Sequence, residues 1–328
     1  MAKIVPKKDI TLESSNVAEL DYVAYDSTLA YSKDSKVSIA ADGKNYYATK
    51  DIAVGIVPDP TDIKASKTGW FPEVSNKMAM FDDANNTQTI NEDSIDFSYK
   101  AINIDHISFF NLDANEIDIK ITDITTGIVV YEKTNNLVHN EISLNNYFFI
   151  EPNLKEKLTL KLEGTALENK ISDIIDTLTP QEAVDRFTVN PPLYFYVLVE
   201  ISIKKTGDYA KCGNFISGQS FDLGISLWDG SNIATKTFGT RTQDEYWGNW
   251  TLKDGEILDY ITIPVLIDTD GLTYTRSILK RYAFQRCLFI GDESQYLPDF
   301  TIFGISSDTN ISPSPMNTHY TLKIGSTI

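Results

Sequence analysis

Strict alternation of apolar and polar residues is the feature that most limits what this chain can become. In "NEIDIKIT" the apolar positions are Ile117, Ile119 and Ile121. Successive side chains of a strand point to opposite faces, so this spacing puts all three on one face. "KLTLKLEG" repeats the pattern through Leu158, Leu160 and Leu162, and "SFDLGISLW" through Phe221, Leu223, Ile225 and Leu227. "YFYVLVEISI", residues 194–203, is almost continuously apolar, which predicts a strand buried on both faces. "YITIPVLI" predicts another, with Pro264 marking an edge or a bulge because proline has no N–H to give the ladder. "TTG", "KDG" and "DTDG" are turn signals between these runs.

Helix signals are few. "TPQEAVDRF" offers Thr179 as N-cap, Pro180 at the first helical position and Glu182 completing a capping box. "ALENKISDIIDTL" before it predicts a second short helix, and "TRSILKRYAF", residues 275–284, a third. Many strands with two or three peripheral helices predict an all-β chain. A hairpin signal at Asp42 and Gly43, followed by the Pro-containing "VPDPTDIKAS", predicts a small N-terminal β module and arm over residues 1–66. Residues 67–328 then read as a β-sandwich of jelly-roll or galactose-binding-like type, with a further division near 190.

With 328 residues, 42% of them apolar, the chain can bury the cores this requires. A net charge of −17 disfavours nucleic acid and anionic membranes as partners. The longest apolar run, 193–199, is far too short for a membrane span. "MAKIVPKKDI" lacks the apolar stretch of a signal peptide, so the expectation is synthesis in a cytoplasm. Cys212 and Cys287 are expected as buried free thiols, with a bridge between them as the alternative.

Motif-level chemistry is sparse. None of His106, His139 and His319 lies at metal-ligand spacing from another His or a Cys. The sequence has no GxSxG elbow, HExxH pair, Gly-rich phosphate loop or CxxC pair. The expectation is therefore no catalytic residue, no metal and no cofactor. "DEYW", Asp244 to Trp247, sets acids beside aromatics as sugar sites do, although a solvated loop is the simpler reading. "DTDG" and "FDDANN" read as acidic turns, since neither continues into a calcium loop. Trp70, Trp228, Trp247 and Trp250 could stack on sugar rings or serve as core and interface anchors.

One stretch fits no period. "GWFPEVSNKMAMFDDANNTQT", residues 69–89, concentrates bulky apolar groups in what reads as a loop. It resembles a motif of tailed-bacteriophage virion proteins, W-x-x-x-G-P-T-N-[KR]-x-x-M-F-D followed by T-x-T. Trp70, Asn76, Lys77, Met80, Phe81, Asp82, Thr87 and Thr89 match, while Glu73, Val74 and Ser75 replace Gly-Pro-Thr. Downstream, Gly213, Gly218, Asp222, Leu223 and Gly224 resemble the same proteins' G-x-x-x-x-G-x-x-x-D-L-G segment. Asp244, Glu245 and Tyr246 resemble a later turn, with Trp247 inserted before Gly248 and Asn249. "YSKDSKVSIAADGKNYYATKD" resembles small chitin-binding-type modules through Asp34, Val37, Gly43, Tyr46, Tyr47 and Ala48.

The resemblance implies a non-enzymatic virion protein of a tail tip, baseplate or fibre attachment. Its expected partners are other tail proteins and copies of itself, with a host-surface glycan as the alternative ligand. It implies that Trp70, Met80 and Phe81 plug the seam between the small module and the sandwich, or face a neighbouring subunit. Asn76 and Asp82 would cap the loop backbone, and Gly218, Asp222, Leu223 and Gly224 would be structural. Tyr46, Tyr47, Trp228, Trp247 and Trp250 are the candidates for glycan or partner contact. A depolymerase would usually carry a long β-helical repeat, which is not apparent in this sequence.

Overall fold

The computed structural model describes residues 1–84, 87–137, 186–189, 191–237, 240–243, 250–253, 257–291, 300–312 and 317–326. Among them the chain is all-β. The strands are β1 (Ala2–Pro6), β2 (Leu12–Ser15), β3 (Lys36–Ile39), β4 (Lys44–Ala48), β5 (Trp70–Val74), β6 (Thr89–Ile104), β7 (His106–Asp113), β8 (Glu116–Asp123), β9 (Val129–Asn136) and β10 (Arg186–Val189). They continue with β11 (Tyr194–Gly218), β12 (Phe221–Ser226), β13 (Asn232–Thr237), β14 (Thr240–Gln243), β15 (Trp250–Lys253), β16 (Ile257–Asp268), β17 (Cys287–Ile290), β18 (Thr301–Ser312) and β19 (Asn317–Ser326). One α-helix is described, α1 (Leu272–Arg281), which overlaps the predicted third helix but begins and ends three residues earlier.

The N-terminal strand closes a barrel with strands from the far end of the chain. Its sheet runs β12-β1-β17-β18-β19-β16, and β16 pairs back to β12, so six antiparallel strands form a ring. Ile4, Leu223, Ile263, Val265, Phe289, Tyr320 and Leu322 fill it. Helix α1 packs Ile278 and Leu279 onto this core, and its polar residues stay outside. β13 continues β12 along β16, with the excursion Leu227–Ser231 between them. Pro264 sits opposite that excursion and its carbonyl takes the Leu227 N–H at 2.8 Å, which accords with the bulge expected there.

The second sheet curls on itself. β6 and β7 are separated by Asp105 alone, yet β6 ends opposite Tyr194 and β7 begins opposite Gly218, the two ends of β11. A straight strand of 25 residues would hold those ends about 80 Å apart. β11 therefore bends until they meet, with a bulge at Lys204 to Tyr209 that contains Gly207 at φ 79°. The Asp105 N–H then bonds Gly218 O at 3.1 Å, and Tyr99 reaches Ser217 Oγ at 2.7 Å. Inside lie Ile117, Ile119 and Ile121, all on one face as their alternation requires. Phe97, Tyr99, Phe109 and Phe215 pack with them, ring centroids 5.1 Å apart between Phe97 and Phe215.

Three expectations need correction. Residues 194–203 are not buried on both faces: Val197, Val199, Ile201 and Ile203 are buried, but Tyr196 is exposed and Leu198, Glu200 and Ser202 are partly so. A continuous apolar run can mark a strand whose outer face carries surface hydrophobics. Ile225 does not share a face with Leu223, because β12 is bulged against β1 and Gly224 takes φ 128°. The all-β architecture expected from the sequence holds, as a closed barrel-like sheet joined to a curled sheet. The predicted strand at 158–162 and the predicted helix at 166–178 lie outside the described residues. Of "TPQEAVDRF" only Arg186 and Phe187 are described, and they open β10 instead of ending a helix.

The small unit is the sheet β3-β4-β5 around Val37, Tyr46, Ala48, Ile52 and Trp70. A boundary at 66 would cut it, since β5 pairs with β4 from Lys44–Val74 to Ala48–Trp70. The N-terminal arm is not part of it either: β1 belongs to the barrel and β2 to the curled sheet. The loop before β5 is organised by Asp62, whose carboxylate accepts the N–H groups of Ser66, Lys67 and Thr68 at 2.8–3.0 Å. The bond from Thr68, then those from Lys67 and Ser66, outweigh desolvation and hold its pKa at about 2. A depressed carboxylate stabilises the fold above its unfolded pKa, and the stabilisation is lost as pH falls toward the folded value. The urea midpoint of the wild type should therefore exceed that of Asp62→Asn at pH 6, and the gap should shrink between about pH 4 and pH 2. Equal midpoints at pH 6 would exclude this role.

Candidate functional site

The stretch from β5 to β6 enters two of the cores and is tied to the barrel by ion pairs. Trp70, at its start, is fully buried in the small unit, with its indole N–H on Ile56 O at 3.1 Å. Tyr25 and Tyr31 meet it edge-on at 6.1 and 5.2 Å. Ten residues on, the 3-10 turn Asn76–Phe81 delivers Met80 and Phe81 to the curled sheet. Met80 is fully buried, and Phe81 meets Phe97 and Phe215 edge-on at 5.6 and 5.9 Å. The three apolar groups thus fill two separate cores, and no common seam plug is formed.

The polar motif residues fix the path between those cores. Asn76 acts as a strand partner in miniature: its Nδ2 donates to Ile90 O and its Oδ1 accepts the Ile90 N–H, both at 2.7 Å. The Asn76 N–H is held by Asp21 at 2.7 Å, and Lys77 is ion-paired with Glu19. Thr89 Oγ1 donates to Asn76 O at 2.7 Å and accepts the Met80 N–H at 2.9 Å. Asp82 accepts the Ala84 N–H at 2.8 Å and the Thr87 hydroxyl at 2.7 Å. Asn76, Asp82, Thr87 and Thr89 satisfy backbone that a short turn would otherwise leave unpaired.

Asp82 and Asp83 also fasten the loop to the barrel. Lys7, just beyond β1, donates to Asp82 O and reaches Asp83 at 3.1 Å. Arg286, just before β17, reaches the other Asp83 oxygen at 2.8 Å. Desolvation pushes the Lys7 ammonium down against the pull of Asp83. Burial alone would raise Asp83, but Lys7 and Arg286 outweigh it and keep the carboxyl depressed. Asp82 is shifted the other way, because burial outweighs its hydrogen bonds. Asp83 is half exposed, so the clasp should be modest and sensitive to salt. Asp83→Asn should lower stability by about 1 kcal/mol in dilute buffer and much less near 1 M salt. An equal loss at both salt concentrations, in paired urea melts, would show that the charge is not the cause.

The second motif abuts the first. A Cβ on Gly213 would lie 2.6 Å from Asn111 Cβ and 3.1 Å from Thr87 O, so the backbones approach where only hydrogen fits. One on Gly218 would lie 3.1 Å from Pro6 O, where the curled sheet passes β1. Asp222 pairs with Lys3 of β1 in register and Leu223 enters the barrel core. Sequence reading missed Lys7, Arg286 and Asn214 as members of this junction. Asn214 sits beside Gly213 and donates to Ala84 O at 2.9 Å. Its place next to the matched Gly213 was the one signal that could have found it.

The glycan candidates are scattered. Tyr46 is buried, with its hydroxyl on Asp42, and cannot offer a ring face. Tyr47 is partly exposed and bonded to Asp34. Trp228 is 59% exposed in the excursion before β13, against Phe300 at 5.5 Å. Trp247, with the "DEYW" acids, lies outside the described residues, as does the side chain of Trp250, which opens β15. His106 is buried at the corner before β7, its Nδ1 2.9 Å from Asp105, which also accepts from Ser220 at 2.7 and 2.9 Å. His319 is exposed on β19, and His139 lies outside the described residues. Cys212 and Cys287 are free and buried in different sheets, and burial pushes both thiols up to about 12.

The outer face of the curled sheet forms an open trough across β2, β6, β11, β8 and β9. Its floor is polar, with Ser14 on Ser98 at 2.6 Å and Lys120 on Glu200 at 3.0 Å. Beyond it the sheet carries Ile102, 63% exposed, paired with Tyr196, 44% exposed, and, two strands from Tyr196, Val129 at 42%. No family model matches the chain, and no curated protein sequence matches it.

Proposed function

We propose that the chain is a structural component of a bacteriophage tail, at the tip, baseplate or fibre attachment, acting by protein–protein assembly. The observation that carries this reading is the use made of the motif residues. Trp70 is spent on the small sheet and Met80 and Phe81 on the curled sheet, while Asn76, Asp82, Thr87 and Thr89 fix the loop between them, which Asp83 ties to Lys7 and Arg286 beside the barrel. Residues employed this way make a rigid scaffold. The surface left over carries broad, shallow apolar and aromatic groups, which suit flat contact with other chains.

The reading is tested on density-banded particles. Peptides of this chain should be recovered from them in fixed ratio to other structural chains. Recovery solely from the unassembled soluble fraction would reject it.

Exposed Trp228 supports a second reading, a module for host-surface glycan. One indole stacked on one sugar holds it with millimolar affinity, about 4 kcal/mol, so such a reader would still need many copies. Glycan-array signal lost in Trp228→Ala, with assembly intact, would favour this second role.

A further inference from the structure

Two exposed stretches of opposite charge border the junction. Residues 9–32 hold Asp9, Glu13, Glu19, Asp21 and Asp26 and no Lys or Arg. Residues 272–286 hold Arg276, Lys280, Arg281 and Arg286 and no Asp or Glu. Three of the chain's five arginines fall in this short span, in a molecule of net charge −17. Arg286 is engaged by Asp83, but Arg276, Lys280 and Arg281 line the exposed arc of α1, opposite the buried Thr275, Ile278 and Leu279.

Each stretch also presents large apolar groups. Beside the cations, Phe284 is 96% exposed and Tyr274 52%. On the acidic stretch Val23 is 81% and Leu29 54% exposed, flanking the exposed Asp26. Glu13, Glu19 and Asp21 are already engaged by Lys100, Lys77 and the Asn76 N–H; Asp26 gives one oxygen to the Thr28 N–H and hydroxyl at 2.8 and 2.7 Å, and it is the acid set between the exposed Val23 and Leu29. Aromatic rings with arginine are the composition of interface anchors, and a guanidinium fork matches a carboxylate.

We propose that these two surfaces bind each other between copies of this chain: the α1 face of one copy docks on the Val23–Leu29 arm of the next. Charge selects the occupant. The cationic face calls for an acidic surface with an apolar site for Phe284, and this chain carries one. The two surfaces sit on different units, the barrel and the arm beside the small sheet, so the contact is head-to-tail and adds copies into a ring or a filament. This rests on the assembly reading above and names one of its contacts.

Sedimentation velocity of the full chain tests it. The wild type should self-associate in dilute buffer and less so at high salt. Arg276→Glu with Arg281→Glu should weaken association at least about tenfold, and so should Asp26→Lys with Val23→Ser. Phe284→Ser, which alters no charge, should weaken it as well, and circular dichroism should show each variant folded. Mixing the two charge variants should give a 1:1 dimer that does not grow, because each retains one intact surface. A monomeric wild type, oligomers unaffected by both variants, or a mixture that stays monomeric would overturn the proposal. A monomeric chain still found in banded particles would sink this contact alone. Oligomers that behave as expected, with the chain absent from particles, would sink the tail reading alone.

Discussion

Trp70→Ala is expected to destabilise the small sheet by about 3–5 kcal/mol, enough to unfold that unit in mild urea. The indole is the largest side chain of its core, is fully buried, and has Tyr25 and Tyr31 against it. The unit around it is small and has few other apolar groups to close over the cavity. Trp70→Phe keeps the edge contacts and removes one of two donors to Ile56 O, the Tyr25 hydroxyl at 3.1 Å remaining, and should cost only about 1 kcal/mol. Amide exchange is the suitable readout. In the alanine variant, protection should collapse across β3, β4 and β5 while β6 and β11 keep theirs. Loss spread evenly over all three cores would mean that Trp70 is not local to the small unit.

Gly224→Ala is expected to be among the most damaging single changes in the barrel. Gly224 has φ 128°, outside the range that residues with a Cβ adopt comfortably. A Cβ there would also lie 2.6 Å from Leu266 O and 2.8 Å from Val265 Cγ1. Both neighbours belong to β16, at the pairing that closes the ring with β12. Strain and overpacking together should cost on the order of 3–5 kcal/mol. Gly55→Ala is the control: it also has positive φ, but no atom lies near the added Cβ, so the backbone penalty should act alone, about 1–2 kcal/mol. Equal melting points for the two variants would show that the close approach at Gly224 is absent in solution.

Local periodicity made individual strands legible. Ile117, Ile119 and Ile121 alternate because one face of β8 is buried, and that pattern is written in three residues. What it could not carry is closure. The pairing of β1 with β17, and of β16 with β12, joins residues far apart in the chain, and alternation records only that a face is buried. The curl of β11 was hidden for the same reason, since its bend depends on where Gly218 must go to meet His106. The bulge at Gly224 misled the face assignment of Ile225, because a positive-φ glycine shifts the period without interrupting the apolar run.

The motif loop was legible as something unusual but not as what it does. Trp70 and Met80 read alike in sequence, as bulky groups in a loop, yet they enter different cores. Nothing local distinguishes them, because the difference lies in the path fixed by Asn76 on Ile90 and Thr89 on Asn76. Lys7 and Arg286 were invisible as partners of Asp83, since a clasp over such separations has no sequence period. Tyr46 shows the reverse error: a residue chosen for its ring is spent on the core of the small unit.

The proposed role is that of an assembly part whose remaining aromatic surface meets other protein, and a cryo-EM map of the intact particle tests it. The barrel and curled sheet should be found in several symmetry-related copies, with protein density over Phe284, Tyr196 and Ile102. Copies attached at one end only, with these side chains and Trp228 open to solvent at the outermost tip, would contradict it in favour of a glycan reader.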